Sequence, residues 1–172
     1  MICNCSPETY SPNFGLKGIN ADEKKILFVA HRSDSRALQS NYETELAKSQ
    51  SGKILEQILS TAKLSLDDIY LTNVFKCLLP SDRMPKKDEY VACLSNLDRQ
   101  IINFKPKSIV TFGHKPYELM FDDNAFSEVV GSRTEYHSIP TFISYHFSKI
   151  WSMPKIEREN VFDNIQWFLE RK

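Results

Sequence analysis

Ile69-Tyr70-Leu71-Thr72-Asn73-Val74-Phe75, followed at once by Lys76-Cys77-Leu78-Leu79-Pro80, is the stretch on which the fold turns. The first seven residues are mostly β-branched, aromatic or aliphatic, as in a strand buried on both faces, and Pro80 stops regular structure. Downstream, Lys86 to Phe104 carries Tyr90, Leu94, Leu97 and Ile101 at helical spacing, with Asp88 and Glu89 in the first turn where the macrodipole favours acids. Upstream, Ile26 to Ala30 is an apolar run of strand length that breaks at His31 to Ser40, and Gly52 to Ala62 places Ile54, Leu55, Ile58 and Leu59 on one helical face. Farther on, Ser108 to Phe112 repeats the strand pattern, and Gly113 permits a tight exit into a short helix at Pro116 to Phe121. Thr141 to Tyr145 is the fourth strand and Glu157 to Glu170 a closing helix.

Strand and helix alternating four times predict an α/β fold of three layers, α/β/α, with a central four-stranded, mostly parallel sheet. The length of 172 residues suits a single domain spanning 1–172, with residues 1–24 as an N-terminal tail. In such folds chemistry gathers beyond the carboxyl ends of the strands. That rule singles out His31 to Ser35, Asn73 to Pro80, Gly113-His114 and His146 to Ser148. Neither G-x-G-x-x-G nor G-x-x-x-x-G-K-[ST] occurs, so the usual nucleotide-phosphate fingerprints are missing.

The thiols are Cys3, Cys5, Cys77 and Cys93. Four soft ligands suit an iron–sulfur cluster or zinc; two disulfides or four unrelated thiols are the plain alternatives. The N-terminus does not read as a signal peptide and no apolar run is long enough to span a bilayer, so a reducing intracellular compartment is expected, which weighs against disulfides. Twenty-two basic and twenty-two acidic side chains cancel, so any nucleic-acid contact must come from a local patch. Lys76, Arg83, Lys86 and Lys87 are one candidate group, and Lys149, Lys155 and Arg158 another.

The motifs then become specific. Asp68-Ile-Tyr-Leu-Thr-Asn73-Val-Phe-Lys76-Cys77-Leu-Leu-Pro80-Ser-Asp-Arg83-Met-Pro85, then Glu89, Cys93 and Pro106-Lys107-Ser-Ile-Val-Thr-Phe-Gly113, resembles the central signature of the family 4 uracil-DNA glycosylases. Weaker similarity runs through Ser51-Gly52, Tyr145-His146, Trp151 and Phe162-Asp163, so it spans nearly the whole chain. The resemblance implies a uracil-DNA glycosylase-like fold and a [4Fe-4S] cluster on Cys3, Cys5, Cys77 and Cys93, with zinc as the second choice. The cluster would anchor the N-terminal tail.

Carried over residue by residue, Asn73 matches the asparagine that hydrogen-bonds the uracil edge, an amide being able to donate and accept together. His146 matches the histidine of a His-Pro-Ser motif, which stabilises charge on the departing base. Ser148 keeps the third position of that motif, while Phe147 replaces the proline and would either loosen the loop or act as a wedge against the duplex. Arg83, Lys76, Lys86, Ser148 and Lys149 are the expected DNA contacts. Two departures stand out. The family's Gly-Glu-x-Pro-Gly loop is replaced by Ala30-His31-Arg32-Ser33-Asp34, so His31 takes the acidic position and Asp34 is the nearest carboxylate that a remodelled loop would bring in. The family's base-stacking Phe falls at Ala47, leaving Tyr42 as a substitute; Gly52 either lets substrate approach or begins a helix. His137 is expected at the surface, and Trp167 is expected to pack with Ile165 and Phe168.

Three function classes follow. One is a monomeric base-excision glycosylase acting on uracil or a related altered base flipped out of DNA. Another is a weak or inactive relative that binds DNA or a protein partner on the same scaffold. The last is a cluster-bearing enzyme with another substrate.

Overall fold

The computed structural model describes residues 15–32, 46–76 and 83–171. Its sheet has six strands in the order β1-β3-β2-β4-β6-β5. These are β1 (Gly15–Lys17), β2 (Ile26–Arg32), β3 (Ile69–Phe75), β4 (Ser108–Phe112), β5 (Arg133–Tyr136) and β6 (Ile139–Ser144). The pairs β2–β3, β2–β4 and β4–β6 are parallel, whereas β1–β3 and β5–β6 are antiparallel. The four strands expected from sequence form the parallel centre, and the expected number is corrected by a short strand at each edge. Both edge strands were hard to see because they are only three and four residues long and half-exposed, with no sustained apolar run. Residues 15–24, assigned to the tail by sequence, include β1 and the helical turn α1 (Ala21–Lys24).

The central strands are buried on both faces and divide their side chains between two cores. Ile26, Phe28 and Ala30 of β2 pack with Leu71, Val110 and Phe112 against α2 (Gln50–Thr61), α6 (Phe147–Ser152) and α7 (Lys155–Glu170). Leu27 and Val29 face the other way, with Tyr70, Val74 and Ile109, onto α3 (Lys87–Phe104) and α4 (His114–Phe121). Period-two alternation with both faces covered is what a three-layer α/β/α sandwich requires. Short helical turns also occur at Leu66–Asp68, a 3-10 helix, and at α5 (Phe126–Val129).

Local chemistry sets the helix boundaries. The Ser49 hydroxyl accepts from the Gly52 N–H at 2.9 Å and caps α2. At the start of α3 the Glu89 carboxylate accepts from the Lys86 N–H at 2.7 Å. Lys105 ends that helix in the left-handed region (φ 52°), just before Pro106. Trp167 corrects its expected packing: it is 49% exposed with the Arg171 guanidinium 4.1 Å above its ring, while Ile165 and Phe168 are buried. No helix among the described residues is long and apolar enough to cross a membrane.

Candidate active site

The parallel strands β3, β2, β4 and β6 end on one side of the sheet, and the order 3-2-4 makes β2 the place where successive connections diverge to opposite sides. A crevice at such a switch point is the usual ligand site of an open α/β sheet. The described parts of the four sequence-selected segments, His31-Arg32, Asn73 to Lys76, Gly113-His114 and His146 to Ser148, lie at this end, through the register that sets Ala30 opposite Asn73 and Phe112 opposite Ser144.

His31 does not begin a loop, as the sequence suggested; it and Arg32 extend β2, with Arg32 paired to Phe75. The His31 imidazole lies 2.8 Å from the Tyr90 hydroxyl through Nε2 and stacks on the Tyr90 ring at a centroid separation of 5.8 Å. Burial, followed by the nearby charges of Arg32, His146 and Lys115, pushes the His31 pKa down to about 4. Lys115, two residues beyond Gly113, sits 5.4 Å over the Tyr90 ring and pairs with Glu118 at 2.5 Å. Tyr90 and Lys115 are site residues that sequence reasoning missed. Tyr90 read as one of the apolar positions of a helix, which its ring is; only the fold brings its hydroxyl to a residue 59 positions away.

Gly113 adopts φ +101°, and a Cβ there would meet the His146 Cβ at 2.9 Å and its Cδ2 at 3.3 Å. Glycine therefore serves two needs at once, an unusual backbone angle and close approach of the histidine. His146 caps α6: its Nδ1 accepts from the Ser148 N–H at 3.2 Å and lies 2.8 Å from the Ser148 hydroxyl. Because Nδ1 accepts a backbone proton, the ring proton belongs on Nε2, for which no partner occurs among the described residues. Burial lowers the His146 pKa, favouring this neutral form.

Phe147 corrects both readings made for it. It is 5% exposed and stacks on Phe112 at 4.3 Å and 22°, so it anchors the loop in the core and presents no wedge. Asn73 is 2% exposed near the end of β3. Lys76 corrects its assignment as a DNA contact: it is 1% exposed, and its ammonium donates to Thr72 Oγ1 at 2.9 Å and to the Asn73 carbonyl at 2.6 Å. A buried ammonium tied to the last turn of its own strand has no face to offer a phosphate. Arg83, Lys86, Ser148 and Lys149 are exposed. Arg83 forms a two-pronged pair with Glu89 at 2.6 and 2.9 Å, which holds that carboxyl down at about 2, and the Arg83 carbonyl accepts from Arg32 at 3.3 Å.

Gly52 also departs from the substrate-contact reading. A Cβ there would lie 1.8 Å from the Leu46 carbonyl oxygen, so the missing side chain makes room for the chain itself. Ala47 is exposed and lines a groove of about 480 Å³ with Leu46, Leu55, Leu59 and Leu66. Among the described residues, neither His31, Asn73 nor His146 lines that groove. Asp34, Tyr42, Cys3, Cys5 and Cys77 lie outside the described residues. Cys93 is fully buried on α3 in a small cluster with Phe75 and Tyr90, beside the end of the strand that leads in sequence to Cys77. A buried thiol at that junction suits a cluster ligand. Among the described residues no group of three or more His, Cys, Asp or Glu side chains is arranged to hold a metal ion.

Comparison with known proteins agrees with this fold. The model of the uracil DNA glycosylase superfamily matches residues 16–168. A type-4 uracil-DNA glycosylase of Sulfurisphaera tokodaii is 42% identical over 71 residues, 41% of this chain and 32% of that protein. One of Pyrobaculum aerophilum is 34% identical over 84 residues (49% and 40%), and one of Archaeoglobus fulgidus 29% over 105 (61% and 51%). The chain thus spans between about a third and a half of the length of these relatives.

Proposed function

Because the chain belongs to the uracil DNA glycosylase superfamily, we propose that it hydrolyses the N-glycosidic bond of uracil or a related altered base flipped out of DNA. The observation that carries this reading is the His146 arrangement: a neutral imidazole, fixed through Nδ1 by Ser148, with its Nε2–H left to donate. A pre-oriented neutral donor stabilises negative charge as it develops on a leaving base without having to reorganise. Asn73 would read the Watson–Crick edge of the base through its amide. Arg83, Lys86, Ser148 and Lys149 would hold the phosphate backbone and set the register of the strand without reading its sequence.

Cys3, Cys5, Cys77 and Cys93 would hold a [4Fe-4S] cluster, with zinc the alternative; such a group would supply folding free energy by tying the chain's N-terminal end to α3. Acting on DNA, the protein would work as a monomer inside the cell.

A second reading, a scaffold that binds DNA or a protein without releasing a base, is favoured by His31 where the related enzymes carry a carboxylate and by Ala47 where they carry an aromatic platform. A single-turnover assay of the iron-loaded protein decides between them, using single-stranded and duplex oligonucleotides with one uracil, and binding measured on the same samples. Base release that falls about 100- to 1000-fold in His146→Ala, and sharply in Asn73→Ala, supports the glycosylase. Tight binding with no release of uracil, hypoxanthine or another altered base would establish the scaffold instead.

A further inference from the structure

Tyr90 and His31 form a contact at the end of β2 that the base-releasing reading leaves without a purpose. The phenol and the imidazole share a single hydrogen bond of 2.8 Å, and each makes no other among the described residues. If the imidazole donated, the proton of the buried phenol would have no acceptor among the described residues. If the phenol donates, its proton is satisfied and the Nδ1–H of His31 is left free to donate elsewhere, so Nε2 of His31 is the acceptor and its proton sits on Nδ1. The Tyr90 ring is itself fixed, edge-on against Phe75 at 5.5 Å and under Lys115.

We propose that Tyr90 is a positioning residue that locks His31 as an Nδ1–H donor, giving the strand-end site a second neutral hydrogen-bond donor beside His146. This rests on the base-releasing reading. His31 and His146 are near enough for the charge of one to oppose that of the other, and Lys115 adds a fixed positive charge to the same region. A carboxylate at position 31 would favour positive charge on the sugar and accept a proton from water. A donor cannot do either, but it can share the negative charge of the departing base. In the step itself the C1′–N bond breaks with both electrons leaving on the base. Water adds to C1′, and the proton that this water gives up balances the one taken by the base anion. With its electrostatics concentrated on the leaving group, the site is selective for bases that depart as stabilised anions, such as uracil and its 5-halogenated derivatives.

The tautomer is tested directly by 15N-histidine NMR of the full chain, whose four histidines keep the spectrum simple. His31 is expected as Nδ1–H near neutral pH, and Tyr90→Phe, which keeps the ring and removes the hydroxyl, is expected to move it towards Nε2–H without disturbing His146. An Nε2–H signal in the parent protein, or no change in Tyr90→Phe, overturns the positioning role. The donor role is read from single-turnover release of uracil and of 5-fluorouracil from otherwise identical single-stranded oligonucleotides. Tyr90→Phe should slow uracil release roughly three- to tenfold and 5-fluorouracil release less, because the poorer leaving group leans harder on the donor. Equal losses on both bases overturn the donor role. Release of neither base by the parent protein would refute base excision, and the donor role with it, while the spectra would still decide what Tyr90 does.

Discussion

Replacing Phe147 separates a core anchor from a DNA wedge. The ring is 5% exposed and stacked on Phe112 at 4.3 Å, in the core that also holds Ile150 and the inner face of α7. Removing a phenylalanine so enclosed costs about 3–5 kcal/mol, from lost transfer energy and the cavity left behind. In a domain of this size that corresponds to a drop in melting temperature of roughly 6–20 °C. Phe147→Pro is the sharper variant. Position 147 begins α6, where proline fits the backbone and its missing N–H matters least, so the related enzymes' residue should be accepted geometrically and still destabilise through the lost ring. The assay is urea unfolding followed by far-UV circular dichroism, with oligonucleotide affinity measured on the same variants well below their transitions. Unchanged unfolding midpoints in Phe147→Ala, together with weakened DNA binding, would refute the packing argument and restore the wedge.

Gly52→Ala should destabilise the fold despite alanine's helix preference of about 1 kcal/mol, because its Cβ would collide with the Leu46 carbonyl; a raised midpoint in urea would show that the loop gives way. Lys76→Met should cost about 1.5–3 kcal/mol by removing hydrogen bonds from a buried ammonium, and the salt dependence of DNA binding should keep its slope, whereas a slope lower by about one would mark Lys76 as a phosphate contact. His31 gives a pH signature. Its folded pKa is about 4 against an ordinary 6.5, so the unfolded chain takes up the proton first and stability falls as pH drops through that interval. Urea midpoints measured between those limits should fall less steeply in His31→Gln; identical slopes would show that His31 is not held neutral.

The parallel centre of the sheet and its four helical partners were legible in local pattern. Runs such as Ile26 to Ala30 and Ser108 to Phe112 can be buried on both faces only between two helical layers, and α3 carries its apolar stripe and its acidic first turn in its own sequence. Gly113 was legible for a similar reason, since a tight turn at a strand end needs a residue that accepts φ +101°. Short edge strands were not: three or four half-exposed residues carry too few apolar positions to betray a period. Lys76 and Phe147 were misjudged because side-chain chemistry alone suggests where a residue prefers to be, and burial is decided by what packs over it. Asn73 and His146 could be picked from motif spacing, yet nothing along the chain gives the tautomer of His146 or brings Tyr90 to His31. The sequence by itself determined the alternation of strands and helices, and with it which loops share one end of the sheet. The tertiary structure decided which side chains meet at that end and which hydrogen bonds they make, because proton placement on an imidazole depends on partners within about 3 Å that chain order does not specify.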